Sequence, residues 1–384
     1  MSLLSRVVNY DMLHNSSPDH VYVDISIANN NTNPNAQPVS IEFSESRNSN
    51  YVEDASQYYL SIIKFKIDTL SLPVFIPLIQ VNNEDNDVNL TVYSFTMKYK
   101  TFEVQVFLEY MPQDISIAVP TSVETQNLQS EYYFIYNHKS VVKMLNTTLQ
   151  SAFTALNNLV VAGSDTLPTN KSPFFIYDGS SGALVLNADI NAYNTALANP
   201  IYLYANPSMY NLLSGFEYTR CGYSALNGKN FMFNIYDDNT NTLEITDTYS
   251  VFNMFEEFNS VSLWSPVQSI VFTTPNLPIN GTIVSQPKTF NSNVSMVNNS
   301  LSTTQNIITD MSVAMIDGKE YLPSVSYLPF NYRLTDLNGR QGISQIKINC
   351  FWKDAYSNLY LMKLHSNSSA QMKVLFIKKS FYHN

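Results

Sequence analysis

In run after run of this chain, apolar side chains recur at every second residue, and one long segment breaks that rule for the spacing of a helix. Alternation turns one face of a strand toward a core and the other toward solvent or a neighbour. Val21, Val23, Ile25 and Ile27 make the first such run. Phe102, Val104, Val106, Leu108 and Tyr110 make the clearest, with Glu103, Gln105 and Glu109 facing the other way. Leu90 to Lys98 is its expected hairpin partner, because the short turn between them brings the two runs side by side. Tyr58 to Ile67 reads as a strand buried on one face and partly on the other. Phe174 to Tyr177, Ala183 to Asn187, Phe231 to Tyr236, Leu243 to Thr246, Ser260 to Trp264 and Gln268 to Thr273 are further strand candidates. Gln345 to Trp352 and Met372 to Lys378 close the series.

The exception runs from Ser140 to Val161. There Val141, Leu145, Leu149, Ala152, Leu156 and Leu159 step by threes and fours along one helical face. Ser140 offers an N-cap and Gly163 a stop, and a shorter helical turn over Ser208 to Leu213 ends at Gly215. Asn29 to Gln37 and Gln286 to Gln305 are rich in Asn, Ser and Thr and read as exposed loops. Many short strands around one helix, with the strongest strands in the first and last thirds, predict a mainly β fold. That fold is a jelly-roll β-sandwich built from both ends of the chain, with an inserted mixed α/β domain. The expected boundaries are 1–110 for an N-terminal arm and the first part of the jelly roll, 111–255 for the insertion and 256–384 for the second part. Residues 1–56 hold few core-like strands and are expected to act partly as an arm contacting neighbouring subunits.

Composition narrows the function. Hydrophobic residues make up 45% of the 384, enough for a sizeable core, while charged residues are only 14%. A surface of neutral amides, hydroxyls and tyrosines buries itself against neighbours without desolvating many charges. An AT-rich genome would inflate the same residues, so both readings stand. The net charge of −10 and the absence of a basic tail argue against bulk nucleic-acid binding. Ten glycines form neither a Rossmann nor a P-loop pattern; Gly222 to Gly228-Lys229 comes nearest, with one residue too many and Asn230 after it. The five histidines fall at no ligand spacing, so neither a metal nor a cofactor is expected. Cys221 and Cys350, each with apolar or aromatic residues close by, are expected as buried free thiols, which suits a reducing compartment. The N-terminus has no apolar core of signal length, and Leu70 to Ile79 is interrupted by Ser71, Pro73 and Pro77. A soluble chain outside the standard secretory route is the expectation.

Catalytic constellations are scarce. The carboxylates at Glu84-Asp85-Asp87 and Asp237-Asp238 lie in turn-like sequence, and Glu256-Glu257, beside Phe255 and Phe258, is the pair with most promise for glycoside hydrolysis. The solvated-turn reading is preferred for all three, no Gly-x-Ser-x-Gly elbow occurs, and an enzyme is not expected. Trp and Arg carry interface energy through large buried area and fixed donors, which nominates Arg220, Trp264, Arg333 and Arg340. The competing reading is core packing for Trp264 and a local ion pair for each arginine. Trp352, on a cleanly alternating strand, reads as core.

In the last third, Ser269-Ile-Val-Phe-Thr-Thr-Pro-Asn-Leu-Pro278 is followed by Ile308-Thr-Asp310 and by Tyr327-Leu-Pro-Phe-Asn-Tyr-Arg333-Leu-Thr-Asp-Leu. Ile346-Lys-Ile-Asn-Cys-Phe-Trp352-Lys-Asp and Lys373-Val-Leu-Phe-Ile-Lys-Lys379 complete the order. This series resembles the minor capsid, or penton, proteins of virophages and polinton-like viruses, and the Asn/Tyr-rich composition suggests a Sputnik-like member. The resemblance extends to Tyr58 to Ile67 and to the helix. It implies a jelly-roll base forming homopentamers at fivefold vertices, surrounded by trimers of a major capsid protein, with the inserted domain facing outward. The implied location is the virion vertex, after synthesis in the host cytoplasm. A second class is an attachment or glycan-binding sandwich, whose loop at Gln286 to Gln305 and middle insertion would hold a host or giant-virus surface receptor or glycan.

Overall fold

The computed structural model describes residues 18–33, 35–121, 130–236, 242–245, 250–284, 289–290, 296–297, 303–312, 324–327 and 333–382. The chain divides into two compact units, one drawn from residues 1–72, 267–314 and 321–384, the other from 73–266 with 315–320. The boundaries expected at 110 and 255 therefore move to 72 and 266.

Three strands of the first unit come first: β1 (His20–Asn29), β2 (Glu42–Ser46) and β3 (Tyr58–Asp68). The second unit supplies β4 (Leu90–Tyr99), β5 (Phe102–Glu109), helix α1 (His138–Ala162), β6 (Phe174–Tyr177) and β7 (Leu184–Asp189). It continues with β8 (Ile201–Ala205), α2 (Pro207–Leu212), β9 (Tyr218–Arg220), β10 (Phe231–Phe233), β11 (Thr242–Ile245) and β12 (Ser250–Phe255). The first unit resumes with β13 (Ser269–Thr273), β14 (Ile307–Ser312), β15 (Ser324–Tyr327), β16 (Gln345–Lys353) and β17 (Ser368–Lys378).

These eight strands of the first unit pair as a rolled hairpin does. Counted along the chain, first pairs with eighth, second with seventh, third with sixth and fourth with fifth, all antiparallel. One sheet thus runs β1-β17-β3-β15 and the other β2-β16-β13-β14. This is the jelly-roll order, and the second unit is inserted between its third and fourth strands. Within the segment expected to act partly as an arm, β1 is the strand foreseen at Val21 to Ile27 and β2 is a further one; residues 1–17 lie outside the described residues.

Alternation fills the space between the sheets. Val23 and Ile25 on β1, Ile62 and Phe65 on β3, and Met372, Val374 and Phe376 on β17 are buried, as are Phe43, Phe272, Ile346, Ile348, Cys350 and Trp352 of the second sheet. Phe65 touches that sheet edge-on, at 6.1 Å from Phe43 and 4.8 Å from Phe272. After β16 the turn is organised by Asp354, 6% exposed. Its Oδ1 accepts the amides of Tyr356 and Asn358, both at 2.8 Å. Its Oδ2 accepts Asn358 Nδ2 at 2.9 Å and the Tyr360 hydroxyl at 3.0 Å, which holds the Tyr360 ring stacked on Trp352 at 4.0 Å. Removing one acceptor here strands several donors, so Asp354→Ala is expected to cost about 2 kcal/mol of stability, read as a lower urea midpoint.

In the second unit one sheet runs β9-β10-β8-β4-β5 and the other β11-β12-β7-β6, and α1 packs on β4, β5 and β6. The helix starts earlier than expected. Asn137, not Ser140, is the N-cap, its side-chain oxygen accepting the Ser140 amide at 2.8 Å. Gly163 ends it as expected, and a Cβ at that position would lie 2.4 Å from the Phe102 ring. Val141, Leu145, Leu149, Ala152 and Leu156 are buried, but Leu159 is 45% exposed and Val160 takes the inward position. Ser260–Trp264 is a 3-10 helix capped by Asn259, not a strand; its buried Val261 and Trp264 are three residues apart, a helical spacing. Most of the loop expected over Gln286 to Gln305 lies outside the described residues; within it Thr289–Phe290 pairs with Met296–Val297.

Candidate assembly surfaces

Residues directly opposed across antiparallel strands share a face, so the register of the first unit defines what each sheet turns away from the core. On the first sheet the outward rows are Tyr22 opposite Leu375, then Asp24, Lys373 and Lys64, then Ser26, Gln371, Lys66 and Ser326. Tyr22 is 59% exposed. The His20 ring stacks with it at 6.2 Å and meets the exposed Phe381 edge-on at 4.7 Å. Below this ladder of rings the face is cationic. Lys373 reaches Asp24 at 3.1 Å, but Lys64 lies directly opposite Lys373, a like-charge pairing that costs stability. Lys64 and Lys66 are exposed, and among the described residues no carboxylate pairs with either.

The second sheet differs. One outward row is Leu361, Phe351, Val271 and Asp310, and its neighbour is Glu42, Asn349 and Thr273. Leu361 is 42% exposed, Phe351 half-buried, Val271 buried and Asp310 exposed. A shallow cleft of about 260 Å³ opens beside this stripe, with Thr273, Pro275, Asn349, Phe351 and Leu359 among its walls.

The four residues nominated by sequence do not converge. Arg220 is exposed on β9, its guanidinium 6.0 Å from the Tyr210 ring and 5.8 Å from the Phe231 ring. Arg333 and Arg340 are exposed in the first unit. The Asp54 carboxyl is held below its ordinary range chiefly by the Ser56 hydroxyl, with Arg340 a smaller contributor. Trp264 is a correction. It is 3% exposed, donates its indole N–H to the Leu212 carbonyl at 2.7 Å and packs near Phe75 and His138, all inside the second unit. A side chain so enclosed has no surface left for a neighbour.

The carboxylate pair resolves into two separate roles. Glu256 accepts the Leu184 amide at 3.0 Å and the Ser260 hydroxyl, tying β7 to the segment after β12, while Glu257 is exposed. Neither cysteine is paired. Cys350 is buried, which pushes its thiol well above the usual range, whereas Cys221 is exposed, against expectation. Arg220 and Gly222 flank Cys221 at the end of β9, where the chain turns to solvent. No group of three or more His, Cys, Asp or Glu side chains among the described residues could hold a metal ion. A cleft of about 660 Å³ in the second unit is lined by the amides and hydroxyls of Asn157, Thr169, Asn170 and Asn191, together with Lys171, Asp189 and the apolar Phe153, Leu167 and Pro168. Asp189 already accepts the Thr169 hydroxyl at 2.6 Å and the Asn191 amide at 3.0 Å.

The family model of the Sputnik minor capsid protein V18/19 matches residues 21–378. Two Sputnik virophage proteins are similar in sequence. Structural protein V19 is 26% identical over 212 residues, 54% of this chain and 94% of V19. The uncharacterized protein V18 is 33% identical over 165 residues, 41% of this chain and 92% of V18. A chain of the Sputnik virophage structure solved by cryo-EM superposes with a TM-score of 0.81 at 26% identity, covering 95% of this chain and 99% of that one. The mavirus penton protein superposes with a TM-score of 0.61 at 12% identity, covering 94% of this chain and all of that one, and so shares the fold.

Proposed function

This chain belongs to the Sputnik minor capsid protein V18/19 family, and on that premise we propose that it is the penton subunit of an icosahedral virion. It is a structural protein of the capsid. In this reading the jelly-roll unit forms a homopentamer at each fivefold vertex and touches the surrounding trimers of the major capsid protein. The inserted unit faces outward, and the protein is made in the host cytoplasm before assembly. The observation that carries the reading is the strand order of the first unit, with a whole second unit inserted between its third and fourth strands. A solved penton protein shares that fold along its whole length. The net charge of −10 weighs against a lining that packs bulk nucleic acid.

The test is the native mass of the purified 43.5 kDa chain over a concentration series, paired with imaging of whole particles. Five copies per assembly, and density for both units at the vertices, are the expected results. A stable trimer, or vertices occupied by another chain, would overturn the reading.

The amide-lined cleft beside Asp189 favours a second role that is compatible with the first, capture of a neutral glycan or glycosylated receptor on a host or giant-virus surface. Amides and hydroxyls are the groups that pair with sugar hydroxyls without desolvating a full charge. A glycan array probed with the purified chain, showing signals weakened by Asn170→Ala, would support it. A blank array would remove it.

A further inference from the structure

We propose that the two outward faces of the jelly-roll unit are the two halves of one contact between copies of this chain: the Tyr22–Lys64–Lys66 face of one copy docks on the Phe351–Asp310 face of the next. The inference rests on the penton reading for the number of copies in the ring, and on the faces themselves for the contact.

The two faces carry complementary groups. The first offers two exposed rings, Tyr22 and Phe381, bridged by His20, above Lys64 and Lys66. Lysine and arginine number 21 in the chain against 31 Asp and Glu, so cations that no carboxylate among the described residues pairs with are a local excess on one sheet face of an acidic protein. Setting Lys64 opposite Lys373 costs stability that Asp24 offsets only for the latter. An incoming carboxylate would relieve the remainder. The second face supplies one: the row that holds the partly exposed Leu361 and Phe351 ends in the exposed Asp310, while Glu42 in the next row is already paired with Lys347 at 3.5 Å. Rings meet Leu361 and Phe351, and ammonium groups meet the Asp310 carboxylate.

The same charges set the symmetry. Two copies meeting through identical first faces would press Lys64 and Lys66 against their own counterparts, a repulsive arrangement. Unlike faces are favoured over two lysine faces, and a head-to-tail contact of unlike faces closes into a ring when its rotation divides the circle. A two-fold dimer through the lysine face is disfavoured by the same argument.

The experiment uses the full chain and reads the concentration at which it assembles, by sedimentation velocity, with thermal melting as a control for folding. The charge reversal Lys64→Glu with Lys66→Glu is expected to raise the assembly midpoint at least ~30-fold, the size of a lost hot spot. Asp310→Lys alone is expected to weaken assembly as well. Combining all three substitutions restores attraction across every contact of the ring and brings the midpoint back toward wild type. Tyr22→Ser, an exposed position that leaves the charges in place, gives an independent reading of the ring ladder and is expected to weaken assembly. Variants that melt normally and assemble at the wild-type midpoint would overturn the docking surface and leave the penton reading standing. A wild-type ring of another size that depends on both faces would do the reverse. A wild-type chain that stays monomeric in solution yet occupies the vertices would also remove the contact, since the lattice would then hold the copies together.

Discussion

Phe65→Ala is expected to lower the stability of the jelly-roll unit by about 4 kcal/mol, the range seen when a buried phenylalanine is truncated. Phe65 is fully buried on β3, and its ring meets Phe43 and Phe272 of the opposite sheet. It therefore joins sheets whose described strands share no ladder, and alanine would leave a cavity that two sheets fixed by their own ladders can close only in part. A loss of that size is a large share of the 5–15 kcal/mol typical of a domain. Trp352 provides the readout, because it lies in the same unit and the second tryptophan of the chain, Trp264, lies in the other. Fluorescence-monitored urea unfolding in a Trp264→Phe background isolates that transition. A loss under about 1 kcal/mol would mean that the sheets do not meet through this residue.

Phe65 was legible because Tyr58 to Ile67 is long and apolar enough to declare a strand without knowing its partners. The same holds for β1 and β16, where the alternation in sequence is the alternation in burial, whereas β5 is half-buried along most of its length and β17 buries four successive residues from Val374 to Ile377. The second strand of the roll was not. Glu42-Phe43-Ser44-Glu45-Ser46 has a single apolar side chain, since an edge strand with one buried residue needs no more, and only its pairing with β16 makes it a strand. The insertion boundaries were misplaced for a related reason. Phe102 to Tyr110 has the strongest alternation in the first half of the chain, and strength of pattern says nothing about which sheet a strand joins. Here its apolar face is covered by α1 in the second unit, not by the other half of the roll.

The candidate surface was harder still to read. Asp24, Lys373 and Lys64 form one row although the first and second are some 350 positions apart in the chain, and a shift of register that skips Ile63 decides which β3 side chains turn outward. No local spacing encodes such a row. The arginines and tryptophan nominated on residue type were chosen by a rule about what interfaces contain, and that rule cannot distinguish a tryptophan at a surface from one that fills a core. The exposed loop around Cys221 defeated composition in the same way, because apolar neighbours in sequence did not mean apolar neighbours in space.

Trp264 makes that distinction measurable. Enclosed by Phe75 and His138 and hydrogen-bonded to the Leu212 carbonyl, it is expected to cost about 3–5 kcal/mol when truncated in Trp264→Ala, all of it in the second unit. Trp264→Phe keeps a ring but leaves the buried carbonyl without that donor, and a loss of about 1–2 kcal/mol is expected. The 25-residue helix α1 belongs to the second unit, so helical circular dichroism follows its unfolding, while the remaining Trp352 follows the first. The helical transition should shift to lower temperature and the Trp352 transition should stay in place. Below that temperature the assembly midpoint should match wild type, because nothing on the proposed docking faces has changed. The opposite pattern, weakened assembly with an unaltered helical transition, would make Trp264 an interface residue after all. It would also mean that the packing around Leu212 is not what holds the second unit together.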